Sequence, residues 1–249
     1  MSKRWYGKGL PGFDIAQLKG LLVVIEGPDG SGRSTQSAML RDWLERQGYP
    51  TSEIGLKRST LVGRELEEAL RGNTLHPLTF ALFYATDFAD QLEHSLIPAL
   101  RAGFVVIADR YIYTLMARNA VRGVDRAWIR DVYGMALVPD ALFYLDVSPQ
   151  MLAERSLRKQ GGLNYWESGM DIYRAGDLYQ SFIHYQKRIR REFDWIIKEY
   201  KFAVIDGDRD PSAVQEELQS KMRLVLRSLK PSGRRKIVFK SVSRWKTAL

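Results

Sequence analysis

Residues 27–35, Gly27-Pro28-Asp29-Gly30-Ser31-Gly32-Arg33-Ser34-Thr35, combine the residue types that hold a phosphate chain. They fit G-x-x-x-x-G-K-[ST] at every fixed position except one, where arginine replaces lysine. In such a loop the glycines let backbone N–H groups turn inward onto phosphate oxygens. A cation then reaches the β- and γ-phosphates, and a hydroxyl holds Mg²⁺. Arg33 keeps the charge but exchanges a compact ammonium for a planar fork. Two readings of it stay open. It could pair bidentately with phosphate oxygens, or it could displace the nucleotide and leave a weak site. A second constellation, Asp109-Arg110-Tyr111, follows the apolar run Phe104–Ile107. The aspartate can bind Mg²⁺, and the arginine can offset charge on a transferring phosphoryl group.

These residues need a scaffold that brings them to one edge. Leu21–Ile25 is an apolar run suited to a buried parallel strand. From Ser34 onward the pattern is helical, with Met39, Leu40, Trp43 and Leu44 on one face. Strand, loop and helix thus present phosphate to a helix N-terminus, where orphan N–H groups and the dipole favour an anion. A plain Gly-rich turn is the bland alternative. The coincidence of hydroxyl pair, basic residue and flanking elements argues against it.

Further β-type runs are predicted at 51–57, 104–107, 141–145 and 202–205. Helical patterns fall at 34–47, 61–71, 76–101, 126–137, 149–159, 178–200 and 211–229. Such alternation implies an α/β fold with a mostly parallel, five-stranded sheet covered on both faces. Ligands in open sheets of this kind bind outside the carboxyl ends of the strands, so both constellations share an edge. Gly161, Gly162, Gly169 and Gly176 punctuate a polar, aromatic-studded stretch that reads as a mobile loop.

The chain has 249 residues, no cysteine and three scattered histidines, His76, His94 and His184. That excludes disulfides, Cys-based zinc sites and thiol nucleophiles, and argues against structural zinc. No signal peptide or membrane-spanning stretch is evident, so the expected location is cytoplasmic. The net charge is +9, but its distribution is uneven. Residues 230–249 hold Lys230, Arg234, Arg235, Lys236, Lys240, Arg244 and Lys246 without an acid. Residues 1–20 add Lys3, Arg4, Lys8 and Lys19 against Asp14, and the segment between is near neutral. The expected organisation is an arm over 1–19, a nucleotide-binding domain over 20–229 and a basic tail over 230–249. The tail is expected to be a solvated end, with binding of nucleic acid, an anionic membrane or an acidic partner as the alternative.

Glu26 to Gln36 resembles the phosphate loop of thymidylate kinases, and Asp109-Arg110-Tyr111 with Ala117 downstream resembles the second motif of that family. Pro139 to Asp146 and Val204-Ile205-Asp206 are similar to two of its strands. The resemblance spans about residues 20–225. It implies a P-loop NTPase fold, three-layer α/β/α, and transfer of phosphate from ATP-Mg²⁺ to dTMP. The substrates and partners implied are small-molecule nucleotides and a second copy of the chain, packed through helices near 76–101 and 112–135.

Carried over residue by residue, Gly27 to Thr35 and Arg155 would serve ATP, with Arg33 on its β/γ-phosphates. Ser34 and Asp109 would hold Mg²⁺. Asp29 would approach the acceptor's 3′-hydroxyl, Phe83 would stack on its base, and Arg110 would grip its phosphate, with Arg58 or Lys57 as a second cation. Arg155 and Arg158 begin a lid, about 159–177, that would close over the donor and be disordered without ligand. Gly30 stands where one branch of the family places an arginine, so this chain should depend on the lid.

Three features depart from the pattern. Asp87 replaces the arginine that reads thymine, and a carboxylate suits an exocyclic amine instead. Tyr113 replaces an acid, and Arg118-Asn119 stand where Tyr-Gln is common. Arg118 could supply the cation missing at 87. The alternatives are therefore a kinase for another monophosphate or a nucleoside, or a non-catalytic nucleotide-binding protein that kept the fold.

Overall fold

The computed structural model describes residues 3–72, 75–160, 162–172 and 177–227. The basic tail at 230–249 lies outside the described residues, as do parts of the expected lid. Five strands form one parallel sheet: β1 (Leu21–Glu26), β2 (Thr51–Gly55), β3 (Val105–Asp109), β4 (Ala141–Asp146) and β5 (Ala203–Asp206). Their spatial order is β2-β3-β1-β4-β5. The register aligns Ile25 with Asp109 and Asp109 with Gly55, so β1, β2 and β3 end level.

Every residue of β1 is buried, because both faces of the central strand are covered. Leu22 and Val24 point into one core, with Phe80, Tyr84, Leu115 and Phe193 from α3 (Pro77–Gln91), α5 (Ile112–Val121) and α8 (Leu178–Tyr200). Leu21, Val23 and Ile25 point into the other, with Leu40, Leu44, Val214 and Leu218 from α1 (Arg33–Arg46) and α9 (Pro211–Leu226). The period of two along the strand thus sorts one apolar run into two layers. The remaining helices are α2 (Gly63–Arg71), α4 (Ile97–Arg101), α6 (Arg126–Val132) and α7 (Pro149–Gln160).

The expected helix over 76–101 is interrupted by a π-helical turn at Leu92–Leu96. Pro98 has no N–H for the regular ladder, and the wider turn precedes it. The pattern over 126–137 is helical only to Val132, followed by a 3₁₀ turn. The arm is a docked segment. Tyr6 and Gly7 donate to the carbonyls of Ala136 (2.9 Å) and Gly134 (2.8 Å), and Val138 donates back to Arg4 (2.8 Å). A side chain at Gly7 would lie 2.9 Å from the Gly134 Cα, so this close approach needs glycine.

Candidate active site

The phosphate loop joins β1 to α1, and its shape is set by positive φ at Gly27, Gly30 and Gly32. Gly32 caps α1 in the left-handed conformation with no side-chain hydrogen bond (φ 88°), as a helix end that receives an anion requires. Arg33 opens the helix and folds back under the loop. Its Nη1 donates to the carbonyls of Gly27 and Pro28 (2.8 Å to the latter), and its Nε donates to Asp109 Oδ1 at 3.0 Å. The Ser34 hydroxyl donates to Asp109 Oδ2 at 2.6 Å. Burial by itself would raise the Asp109 carboxyl, but Arg33 and the Ser34 bond outweigh it and hold the group below the usual carboxylate range.

One hydroxyl and one carboxylate therefore converge. This oxygen donor set suits Mg²⁺, which takes few protein ligands and completes its shell with water and substrate phosphates. Among the described residues no group of three or more His, Asp or Glu side chains offers a fuller metal cage.

A cleft of about 490 Å³ opens from Arg33 and Asp109 toward α2, α3 and α5. Asp29 lines it, with Arg110 on Oδ1 and Arg118 on Oδ2, the latter at 2.7 Å. Burial would raise Asp29, but Arg110, Arg118 and Arg33 together pull it well below its ordinary value. The same burial, with Arg33 nearby, lowers the Arg110 guanidinium to about 10. Lys57 and Arg58 line the mouth. The sequence had grouped Asp29, Arg58, Arg110 and Arg118, and the fold brings them to one cavity.

Three expected contributors stand elsewhere. Asp87 is fully buried and is not part of the cleft wall. It accepts from the backbone N–H of Lys57 (2.8 Å) and Ser59 (2.9 Å) and from Gln91 Nε2 (3.1 Å), so its oxygens hold the loop after β2. Phe83 packs against the core, while Phe80 and Tyr84, on the adjoining face of α3, line the cavity. Arg158 pairs with Glu154 on the exposed side of α7 (2.5 Å). Arg155 does face a second cavity of about 360 Å³ with Ser31, Gly32 and Thr35, and it donates to the Gly207 carbonyl at 2.9 Å.

Residues 162–172 of the expected lid lie along the 490 Å³ cleft, where Asn164, Tyr165, Trp166 and Glu167 contribute to its wall. That places them on the Asp29–Arg118 side rather than over Arg155. Trp166 Nε1 donates to the Leu70 carbonyl at 2.7 Å. Burial, then the neighbouring Asp29, pushes the Glu167 carboxyl up to about 7 against the pull of Arg118. Arg122 was not singled out by sequence reasoning. Its buried guanidinium binds both oxygens of Asp171 (2.7 and 3.1 Å) and the Tyr185 hydroxyl (3.0 Å), and lies 4.7 Å from the Phe80 ring centre. Its place four residues after Arg118, at the C-cap of α5, was the available signal. Trp166 and Glu167 fell inside the stretch expected to be a lid, but nothing in the sequence put them on the cleft wall, because their neighbours there are distant in sequence.

The family model for thymidylate kinase matches residues 25–218. The chain belongs to the thymidylate kinase family. A probable thymidylate kinase 2 of Saccharolobus solfataricus is 40% identical over 205 residues, covering 81% of this chain and 95% of that protein. A probable thymidylate kinase of Pyrobaculum aerophilum is 32% identical over 206 residues, covering 82% and 97%. A thymidylate kinase of Thermoanaerobacter sp. is 26% identical, covering 81% and 96%. The matched span contains the phosphate loop, Asp109-Arg110-Tyr111 and the described lid residues. No helix among the described residues is long and apolar enough to cross a membrane.

Proposed function

We propose that this thymidylate kinase family member transfers the γ-phosphoryl group of ATP to dTMP, giving dTDP and ADP. The observation that carries the reading is that the phosphate loop meets two sets of arginines: Arg33 bonds Asp109 beneath the loop, and Arg110 and Arg118 bond the loop's own Asp29 where it lines the cleft. Phosphoryl transfer needs little covalent help, so positioning and charge neutralisation supply the rate. The loop N–H groups hold the donor and Arg33, braced by the Gly27 and Pro28 carbonyls and Asp109, sets a positive charge beneath its phosphates, with Thr35 and Arg155 beside its nucleoside end. Arg110, with Lys57 and Arg58 at the mouth, receives the acceptor phosphate, and Asp29 accepts from the sugar 3′-hydroxyl. Tyr84 and Phe80 wall the base, taking the place first given to Phe83.

Ser34 and Asp109 would hold Mg²⁺, which when bound supplies charge neutralisation to the transferring group. Trp166 and Glu167, along the wall of the cleft, exclude water from the acceptor side and so suppress ATP hydrolysis. The protein works in the cytoplasm as a homodimer. A second acceptor stays in play on one observation: α3 brings aromatic rings but no charged side chain to the cleft wall. Coupled ADP release, measured across the common nucleoside monophosphates, decides. Turnover with dTMP above all others supports the proposal. Preference for another monophosphate selects the second acceptor, and ATP binding without turnover on any of them rejects catalysis.

A further inference from the structure

Glu26, the last residue of β1, is an ionisable group with no exposure that lies behind the cleft. Its Oε1 accepts from the backbone N–H of Tyr111 (2.9 Å) and Thr114 (3.1 Å), and its Oε2 accepts from the Thr114 hydroxyl. These groups belong to the first turn of α5, whose N-cap residue, Tyr111, has no side-chain cap hydrogen bond of its own. Helix starts leave such N–H groups without intrahelical partners, so a carboxylate from the neighbouring strand does the work of a cap.

The residue just before that turn is Arg110, which is not glycine yet has φ +75°. A side-chain-bearing residue holds that conformation only where its surroundings over-determine it. Thr114 connects the two: its hydroxyl donates to Glu26 and accepts from Arg110 Nη1 at 3.3 Å. A chain of contacts thus runs from Glu26 through Thr114 to the Arg110 guanidinium and on to Asp29.

We propose that Glu26 is a positioning residue, whose buried carboxylate caps α5 and, through Thr114, aims Arg110 at the acceptor phosphate. The proposal rests on the reading of Arg110 as the acceptor-phosphate grip. Glu26 touches no substrate, and its effect on the acceptor is indirect. The phosphate loop leaves the same strand end but donates no hydrogen bond to this carboxylate, so the expected consequence is confined to the acceptor.

The test measures dTMP and ATP binding separately by calorimetry in Glu26→Gln, Thr114→Val, Thr114→Ser and Arg110→Ala. Gln keeps an acceptor for the two backbone N–H groups but cannot accept at Oε2, and Val keeps the bulk of Thr114 without its hydroxyl. Each is expected to weaken dTMP binding about tenfold, the effect of one lost charge-assisted hydrogen bond, with ATP affinity unchanged. Thr114→Ser, which restores the hydroxyl, is expected to bind dTMP like the parent. Equal losses for both ligands would reduce Glu26 to a general support and overturn the proposal. If Arg110→Ala weakens dTMP binding while Thr114→Val and Glu26→Gln do not, the relay is wrong and the grip stands. If Arg110→Ala leaves dTMP binding unchanged, the grip and the proposal fall together.

Discussion

In the phosphate loop, the proposed donor half of the site, the residues with positive φ are Gly27, Gly30 and Gly32, whereas along the 490 Å³ cleft, the proposed acceptor half, they are Lys57 (φ +62°) and Arg110 (φ +75°). A loop that binds phosphate with its backbone, as proposed here, can use residues without side chains, for which these angles cost little. The acceptor half needs cations at the same kind of turn and must hold them there by other means. A buried carboxylate stands behind each: Asp87 bonds the N–H groups of Lys57 and Ser59, and Glu26 those of Tyr111 and Thr114. One half is specified by local chemistry and the other by long-range hydrogen bonds. Damage should therefore spread differently through the two.

The largest effect is expected in the donor half, at Arg33. Its replacement by Ala should lower kcat about 10²–10³-fold, the scale of losing one preorganised group on a developing charge. Arg33→Lys should stay within about tenfold of the parent. A dead Lys variant would show that the three-contact fork, and not the charge, is what the loop needs.

Asp87→Ala is expected to destabilise the fold by about 2 kcal/mol, because buried donors lose their acceptor. Urea midpoints would show the loss. Acceptor affinity should fall as the loop of Lys57 loosens while ATP affinity holds, and an equal loss of both affinities would break the comparison.

Arg118→Ala should raise the dTMP KM about tenfold with little change for ATP, since it removes one of two cations on Asp29. Asp29 would still be paired with Arg110, so the turn at 110 should survive.

The smallest effect is the pH response of Glu167. Its folded-state value of about 7 lies above the ordinary carboxyl value, so its contribution to stability is present at low pH and is lost as pH rises through 7. Ionisation also sets a second carboxylate near Asp29 in the path of an anionic substrate. Acceptor affinity should fall about threefold between pH 6.5 and 8 beyond the substrate's own titration, on the order of one screened charge contact. Glu167→Gln should flatten that difference, and a parallel slope in both proteins would exclude Glu167 as its source.

Four of the five strands were legible because each is a short apolar run, and α1 because its apolar residues recur at helical spacing; β2, Thr-Ser-Glu-Ile-Gly, carried the weaker signal. Interruption of the long helix at Leu92–Leu96 was not legible, since the apolar period continues through a π turn. Helix α5 is buried on nearly every side, so periodicity alone gives no face. At the site, Asp29, Arg33, Asp109 and Arg110 of the cleft wall and the adjoining Ser34 were readable from two contiguous motifs. Asp87 was readable as unusual but not as structural. A carboxylate's partners there are backbone N–H groups 28 and 30 residues away, and no spacing rule reports them.

By itself the sequence determined the phosphate loop: strand, glycines, cation and hydroxyls are contiguous, and their geometry follows from a backbone turn that glycine alone permits cheaply. Only the tertiary structure decided the acceptor half. It faces Tyr84 rather than Phe83 to the cleft, assigns Asp87 to a loop, sets Trp166 and Glu167 along the wall and puts Glu26 behind Arg110. Those assignments depend on which helix face meets which strand end, and that is fixed by packing both apolar faces of one sheet.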